Sequence, residues 1–332
     1  MGHHSQASSR ALTPTALAQM VEEAAGRIQP FVTQTPLEPA TALGSANGTN
    51  LLFKLENLQQ TGSFKLRGAS NKILALSKRQ AAQGVIAASN GNHGLGVAAA
   101  AQRAGIAAEV YVSSHVSQAK AKRIEEYGAR IHRAGKDPLA AELAARSAAE
   151  QQGKVFISPY NDPEVMAGQG TISVELLRQA PHIDAIFAAV GGGGLIGGIG
   201  AFMKHASPGT QIVGCWPENS RVLYESMRAG RIIEVPEGPT LSESTAGGLE
   251  PGSVTLEICR NVIDRSVMVS EDEILDAMKR ALDATGSLVE GAAGVALAAF
   301  LKCASDYKGK TVVVVICGGN LSPAVRERLD QV

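Results

Sequence analysis

The stretch AIFAAVGGGGLIGGIGAF, residues 185 to 202, joins an apolar run to a helix-like run through four consecutive glycines, Gly191 to Gly194. Consecutive glycines let backbone N–H groups crowd around an anion, and the dipole of a helix starting near Leu195 also favours negative charge. The pattern predicts a phosphate-binding loop. Two alternatives stay open: a dinucleotide site, because a G-x-G-x-x-G pattern is present and Glu218 follows it, and a flexible glycine turn.

Apolar runs of strand type alternate with alanine-rich runs of helical type along the rest of the chain. Candidate strands begin near residues 51, 84, 108, 129, 154, 185, 211, 266 and 311. Several are apolar on both faces, as in parallel sheets that helices cover on both sides. We therefore expect an α/β fold of two doubly wound, mostly parallel sheets, with ligands at the carboxyl ends of the strands.

The composition favours a small-molecule partner. The 332 residues include 31 basic and 31 acidic side chains, a balance that argues against binding to nucleic acid or to a membrane. The four cysteines form no C-x-x-C motif, which is typical of a cytoplasmic protein without disulfides or zinc. The uncharged run 185–203 contains seven glycines, which weaken any membrane-spanning helix. The polar leader, residues 1–12, is expected to be disordered.

A second polar loop, Ser89 to His93, lies between a predicted strand and an alanine-rich helix. Backbone N–H groups at such a helix start can bind a carboxylate. The alternative is that Asn or Ser simply caps the helix. His93 considered alone would more often be a structural hydrogen-bonding group than a catalyst.

A third loop follows the buried-type strand TVVVVI and contains Cys317 and two glycines. The strand end places Cys317 at the ligand edge of the sheet, where its side chain could touch a ligand. The alternative is a buried cysteine that acts as a small hydrophobic residue.

Lys65 stands in the segment TGSFKLRGA, between Phe64 and Leu66. If a helix begins around Ser63, Lys65 occupies its first turn, where the helix dipole disfavours a cation and helps to keep the amine neutral and nucleophilic. Gly68 and Ala69 would leave room beside it for a flat ligand. The alternative is an ordinary solvated lysine.

These segments together resemble the β-family, or fold type II, of pyridoxal-phosphate enzymes, and most closely its serine/threonine dehydratase branch. TGSFKLRGA is similar to the segment that carries the Schiff-base lysine, ASNGNHG to the substrate-carboxylate loop, GGGGL to the phosphate cup and CGGN to a C-terminal S-G-G-N motif. The resemblance implies the tryptophan synthase β-like fold. Residues 1–72 and 160–332 would form a large cofactor-binding domain, and residues 73–159 a small mobile domain.

The resemblance also implies a role for each site residue. Lys65 would be the catalytic residue and would form the Schiff base with pyridoxal 5'-phosphate. The other cofactor-binding residues would be Phe64, Asn92, Gly191, Gly192, Gly193, Gly194, Leu195, Glu290 and Cys317. The substrate carboxylate would be bound by Ser89, Asn90, Gly91, Asn92 and His93.

The implied activity is a lyase reaction: dehydration and deamination of a β-hydroxy L-amino acid, of threonine or serine type, to a 2-oxo acid and ammonia. Alternatives within the family are a more specialised substrate (hydroxyaspartate, phenylserine or a hydroxyectoine-pathway compound), β-replacement, and serine or threonine racemisation. From other classes, a dinucleotide-dependent oxidoreductase and a non-catalytic binding module stay open. The resemblance further implies a cytoplasmic homodimer or homotetramer.

The chain departs from the family pattern at several positions. Cys317 stands where the branch usually has serine, and Asn90 stands where racemases carry an acid/base serine, which argues against racemisation as the main activity. Trp216 replaces a glutamate of metal-dependent relatives, so no metal is expected. Ser244, in the segment TLSESTAGGLEPG, replaces a glycine of a substrate-side loop, so the substrate need not be threonine itself.

Overall fold

The computed structural model describes residues 12–44 and 48–331, so the expectation of a disordered leader concerns residues that, apart from Leu12, lie outside the described part. The strands are β1 Leu37–Pro39, β2 Asn50–Leu55, β3 Val85–Ala88, β4 Ala108–Val112, β5 Arg130–Arg133, β6 Val155–Phe156, β7 Ala185–Ala189, β8 Gln211–Pro217, β9 Arg265–Val269 and β10 Thr311–Ile316. The helices are α1 Pro14–Ile28, α2 Thr41–Gly44, α3 Lys65–Leu74, α4 Lys78–Gln83, α5 Asn92–Ala104, α6 Gln118–Glu125, α7 Pro138–Gln152, α8 Pro163–Gln179, α9 Gly194–Ala206, α10 Val222–Ala229, α11 Thr255–Val262, α12 Glu271–Thr285, α13 Gly291–Lys302 and α14 Pro323–Asp330.

The strands form two sheets, a six-stranded one in the order β1-β2-β10-β7-β8-β9 and a four-stranded one in the order β5-β4-β3-β6. All neighbouring strands are parallel except the pair β1 and β2. The predicted α/β fold with two mostly parallel sheets is thereby confirmed, and every expected strand is present. Strand β1 was not predicted because it is short and ends at Pro39, which has no N–H group and is tolerated only at a sheet edge.

Each sheet has its own apolar core. In the larger sheet, Phe187 of β7 packs edge-to-face against Phe300 of α13, with ring centroids 5.7 Å apart. Around the smaller sheet, Val85 and Val110 pack with Ile124 of α6. Both layers are covered by helices because the central strands are apolar on both faces. Within the described residues, no helix combines the length and apolar character needed to cross a membrane.

The strand positions are compatible with a discontinuous large domain. All strands of the four-stranded sheet lie between residues 85 and 156, whereas the six-stranded sheet takes strands from both sides of that interval. Helix α3 continues through the expected boundary at residue 72 and ends at Leu74. The division into domains at residues 73–159 therefore stays a prediction.

Candidate active site

A cavity of about 1970 Å³ opens at the carboxyl ends of strands from both sheets. The segments predicted to carry the chemistry meet there although they are far apart in sequence. The predicted site residues that line it are Phe64, Lys65, Ser89, Asn90, Gly91, Asn92, His93, Gly191, Gly192, Gly193, Gly194, Leu195 and Glu290. Cys317 and Glu218 are not among the lining residues, which removes the structural support for Glu218 as part of a dinucleotide site.

Lys65 is the first residue of α3, and its Nζ donates a hydrogen bond to the carbonyl oxygen of Pro159 at 2.8 Å. Burial lowers the pKa of Lys65 to about 8, although the nearby carboxylate of Glu290 opposes this effect. The helix begins two residues later than predicted because Ser63 forms a bridge to Gly318 and the N–H of Phe64 donates to Cys317. Lys65 still lies in the first turn, and an amine with this pKa is partly neutral near neutral pH.

The predicted role of Gly68 is wrong. A Cβ atom at Gly68 would lie 2.3 Å from Nε2 of Gln169 and 2.7 Å from the carbonyl oxygen of Val165, both on α8. Gly68 is therefore required where α3 packs closely against α8, and the space it provides is not beside the lysine amine.

Two residues beyond Lys65, a buried ion network fixes the helix. The guanidinium group of Arg67 donates to both carboxylate oxygens of Glu56 at 2.8 Å and to Glu175 at 2.6 and 2.9 Å. Lys54 of β2 also donates to Glu175, and the Thr35 hydroxyl donates to Glu56. Bidentate pairs of this kind specify orientation, so the network holds the start of α3, and with it Lys65, against the large sheet.

The loop before α5 is shaped for an anion. Gly91 occupies the N-cap position and no side chain caps the helix, so the simple Asn or Ser cap considered above is not present. Instead Ser89 accepts from the N–H of Gly91 at 3.1 Å, and the Asn90 amide pairs with Ser113 at 2.8 and 2.9 Å. The N-cap residue therefore offers no side-chain acceptor to the first N–H groups of α5. Such a helix start can bind a carboxylate.

His93 is buried and neutral. Its Nε2 lies 2.8 Å from the carbonyl oxygen of Ile157 and must carry the proton, because a carbonyl can only accept. Burial lowers the pKa of His93 to about 3, and the charge of Lys65 contributes to the decrease. Its Nδ1 has no partner among the described residues, which leaves it as an acceptor rather than an acid.

The glycine loop is a cradle that side chains cannot enter. Gly193 has φ of +87° at the N-cap of α9, a conformation that favours glycine. A Cβ at Gly192 would lie 2.4 Å from the ring of Tyr160, and one at Gly191 would lie 2.8 Å from the carbonyl oxygen of Thr245. The four glycines line the cavity and α9 begins at Gly194, so the loop fits a phosphate group bound at a helix N-terminus.

Glu290 is a buried carboxylate with several donors. It accepts from Asn92 at 2.7 Å and from Ser244 at 2.9 Å, and the Cys317 thiol lies 3.8 Å away. Burial raises the pKa of Glu290, and these donors oppose the increase. Burial also raises the pKa of Cys317, which therefore remains a thiol behind Glu290. Cys317 is thus buried, as the alternative of a small hydrophobic residue predicts.

Sequence reasoning missed several residues that complete the cavity. Tyr160 covers the glycine loop, and its hydroxyl accepts from the N–H of Glu250 at 2.8 Å. Glu250 also pairs with Arg146 of α7 at 2.7 Å, so it links the two sides of the cavity. Tyr160 could have been found, because it follows β6 and lies at the same strand ends as the predicted loops. No comparable signal marks Arg146 or Glu250.

Comparisons with known proteins point to a single family. The family described as "Pyridoxal-phosphate dependent enzyme" matches residues 28–318. The chain is 38% identical to the L-threonine ammonia-lyase of Thermotoga maritima over 93% of this chain and 77% of that protein. It is 39% identical to the catabolic L-threonine dehydratase of Staphylococcus aureus over 91% and 88%. The solved structure of processed threonine deaminase isoform 2 from Solanum lycopersicum superposes with a TM-score of 0.90, at 31% identity, over 97% of this chain and 96% of that one.

Proposed function

The chain belongs to the family of pyridoxal-phosphate-dependent enzymes, and we propose from this premise that it is an ammonia-lyase for a β-hydroxy L-amino acid of threonine or serine type. The products are a 2-oxo acid and ammonia. The observation that carries the proposal is the meeting, in one cavity, of the Lys65 amine, the glycine cradle at Gly191–Gly194 and the carboxylate-binding loop at Ser89–His93.

The residues present fit the cofactor. Its phosphate would be held by the N–H groups of Gly191–Gly194, where a Cβ would collide with a neighbour, and by the N–H group of Leu195. Phe64 and Lys65 would lie beside its ring, and the Asn92 amide would donate to its ring oxygen. When bound, pyridoxal phosphate supplies an electron sink that accepts the negative charge left at Cα after deprotonation.

The substrate carboxylate would bind at the start of α5, among Ser89, Asn90, Gly91, Asn92 and His93. His93 would contribute its backbone N–H, because its Nε2 hydrogen is donated to Ile157 and its neutral Nδ1 can only accept. The Asn90 amide is held by its two hydrogen bonds to Ser113. Fixing the carboxylate at this helix end orients the rest of the amino acid toward Lys65.

Lys65 would move the Cα proton. With a pKa of about 8, a useful fraction of the amine is neutral near pH 7 to 8 and can accept a proton. The β-hydroxyl group then leaves as water after it takes up a proton, and the released enamine hydrolyses to the 2-oxo acid and ammonia. Water is lost in one step and consumed in the other, so the net reaction is deamination.

Two residues favour elimination over racemisation. Asn90 has no titratable proton with which to reprotonate Cα from a second direction. The family resemblance, and not the lining of the cavity, assigns Cys317 to the ring nitrogen. There its thiol, with its raised pKa, would stay neutral and would not firmly hold that nitrogen protonated, which would disfavour a long-lived carbanion. We further propose that the protein acts in the cytoplasm as a homodimer or homotetramer, without nucleic acid or membrane partners and without a catalytic metal.

The test is reconstitution with pyridoxal phosphate followed by borohydride reduction and mass spectrometry. We expect the cofactor to become covalently attached to Lys65 in the wild type and to no lysine in Lys65→Ala. Threonine, serine, hydroxyaspartate and phenylserine are then compared by detection of the 2-oxo acid. A wild type that takes up no cofactor, or that is labelled but deaminates none of these substrates, would refute the proposal.

A further inference from the structure

Asn320, in the CGGN loop after β10, connects three separate segments around the cavity. Its Nδ2 donates to the carbonyl oxygen of Thr61 at 2.9 Å and to Oδ1 of Asn92 at 2.7 Å. Its Oδ1 accepts from Arg123 of α6 at 3.1 Å. Arg123 and Asn92 belong to the helices of the four-stranded sheet, whereas Asn320 follows the six-stranded sheet, so this side chain ties the two parts together.

The orientation of the Asn320 and Asn92 amides is determined by neighbouring groups that can act only as donors or only as acceptors. The Thr61 carbonyl can only accept and the Arg123 guanidinium can only donate, so the nitrogen of Asn320 must face Thr61 and Asn92. At the other end, Nδ2 of Asn92 donates to the buried carboxylate of Glu290 at 2.7 Å. The oxygen of Asn92 therefore faces Asn320.

This arrangement leaves a single N–H of Asn92 for a ligand. Among the described residues, Oδ1 of Asn92 is occupied by Asn320 and one Nδ2 hydrogen is occupied by Glu290. The second Nδ2 hydrogen is without a partner there, and Asn92 lines the cavity. A reversed amide would place its oxygen against the carboxylate of Glu290, where two acceptors repel each other.

We propose that Asn320 is a positioning residue that holds the Asn92 amide with one N–H directed at an acceptor oxygen of the cofactor. The inference rests on the proposed role of Asn92 in holding pyridoxal phosphate. It requires that the direction of the hydrogen bonds, and not only the presence of a bridge, controls the affinity for the cofactor.

The experiment measures the dissociation constant of pyridoxal phosphate from apoprotein by equilibrium dialysis, together with the melting temperature of the apoprotein. In Asn320→Asp, an oxygen replaces the donor toward Thr61 and Asn92, so the Asn92 amide is driven to reverse. We expect affinity to fall at least about 10-fold, the effect of one misdirected buried hydrogen bond. Arg123→Met is the matched control. It removes only the exposed hydrogen bond to Oδ1 of Asn320, while the Thr61 carbonyl still fixes the orientation of the amide, so affinity should change by less than about 2-fold.

A rescue distinguishes positioning from a general structural role. In the double variant Asn320→Asp, Glu290→Gln, the amide that replaces the Glu290 carboxylate can donate to a reversed Asn92, so the melting temperature should rise relative to Asn320→Asp alone. Asn320→Ala, which removes the donor without adding a charge, should lower affinity less than Asn320→Asp.

Unchanged affinity in folded Asn320→Asp would overturn the inference, as would equal losses in Arg123→Met and Asn320→Asp or a failure of the double variant to gain stability. A wild type that binds no pyridoxal phosphate would instead refute the proposed function.

Discussion

The partly buried amine of Lys65 should make the apoprotein less stable than a variant without it. Burial lowers the pKa of this lysine to about 8, from an ordinary value of 10.5. Because each pKa unit corresponds to about 1.4 kcal/mol, keeping the amine protonated in the folded state costs about 3 kcal/mol at pH 7. Lys65→Met keeps the length of the side chain and removes this cost.

The net gain is smaller than the electrostatic cost. Lys65→Met also loses the hydrogen bond from Nζ to Pro159, which contributes about 1 kcal/mol. We therefore expect Lys65→Met apoprotein to be more stable than wild type by about 2 kcal/mol at pH 7. Bound cofactor should reverse the order, because it stabilises only the protein that binds it.

The pH dependence has a defined sign. Between the folded pKa of about 8 and the unfolded value of 10.5, the unfolded state holds the proton that the folded state has lost. The stability of wild type relative to Lys65→Met must therefore rise with pH across this interval. The advantage of the variant should disappear above it, where the amine is neutral in both states.

Urea unfolding of both apoproteins at pH 7 and at high pH measures this difference, since other titrating groups cancel between the two proteins. Lys78→Met, at an exposed lysine that begins α4, is the control and should change stability by less than about 0.5 kcal/mol. A Lys65→Met variant that is no more stable than wild type at pH 7, or whose advantage does not change with pH, would refute the reasoning.

Two further predictions concern the walls of the cavity. Gly192→Ala should weaken cofactor binding by more than about 10-fold, because its Cβ would meet the Tyr160 ring at 2.4 Å and the ring would have to move. Gly209→Ala, at an exposed glycine with open space around it, is the control in the same dialysis measurement; equal affinities would contradict the prediction. Arg146→Met should cost less than about 1 kcal/mol because the pair with Glu250 is partly exposed, yet limited proteolysis should cut residues 246–252 faster. An unchanged rate of cleavage would contradict the idea that the Arg146–Glu250 pair restrains residues 246–252.

The fold was largely predictable because both signals that define it are local. Apolar runs such as TVVVVI identify buried strands, and the glycine run after β7 identifies a strand-to-helix turn with no room for side chains. The start of α3 was misplaced because residues 63 and 64 pair with the backbone after β10, a contact that no local pattern encodes. Gly68 was misassigned for the same reason, since its requirement comes from α8.

The same limitation applies to the walls of the site. The strand-end rule brings Lys65, His93 and the glycine loop to one edge without stating which side chains touch. The contacts of Tyr160 with Gly192, and of Arg146 with Glu250, depend on how the two sheets face each other. A sequence therefore predicts the chemical groups of such a site better than the connections that orient them.

Ser244 shows how such a connection changes an interpretation. The resemblance places it in a substrate-side loop, so that the substrate need not be threonine, yet its hydroxyl donates to Glu290 at 2.9 Å. A buried carboxylate needs donors to remain charged. Without Ser244 the same oxygen would retain, among the described residues, only the Cys317 thiol at 3.8 Å, a weak partner. The serine that replaces glycine at position 244 thus stabilises the charged form of Glu290. It does not by itself argue against threonine, and the choice of substrate must be tested at the residues that contact its β-substituent.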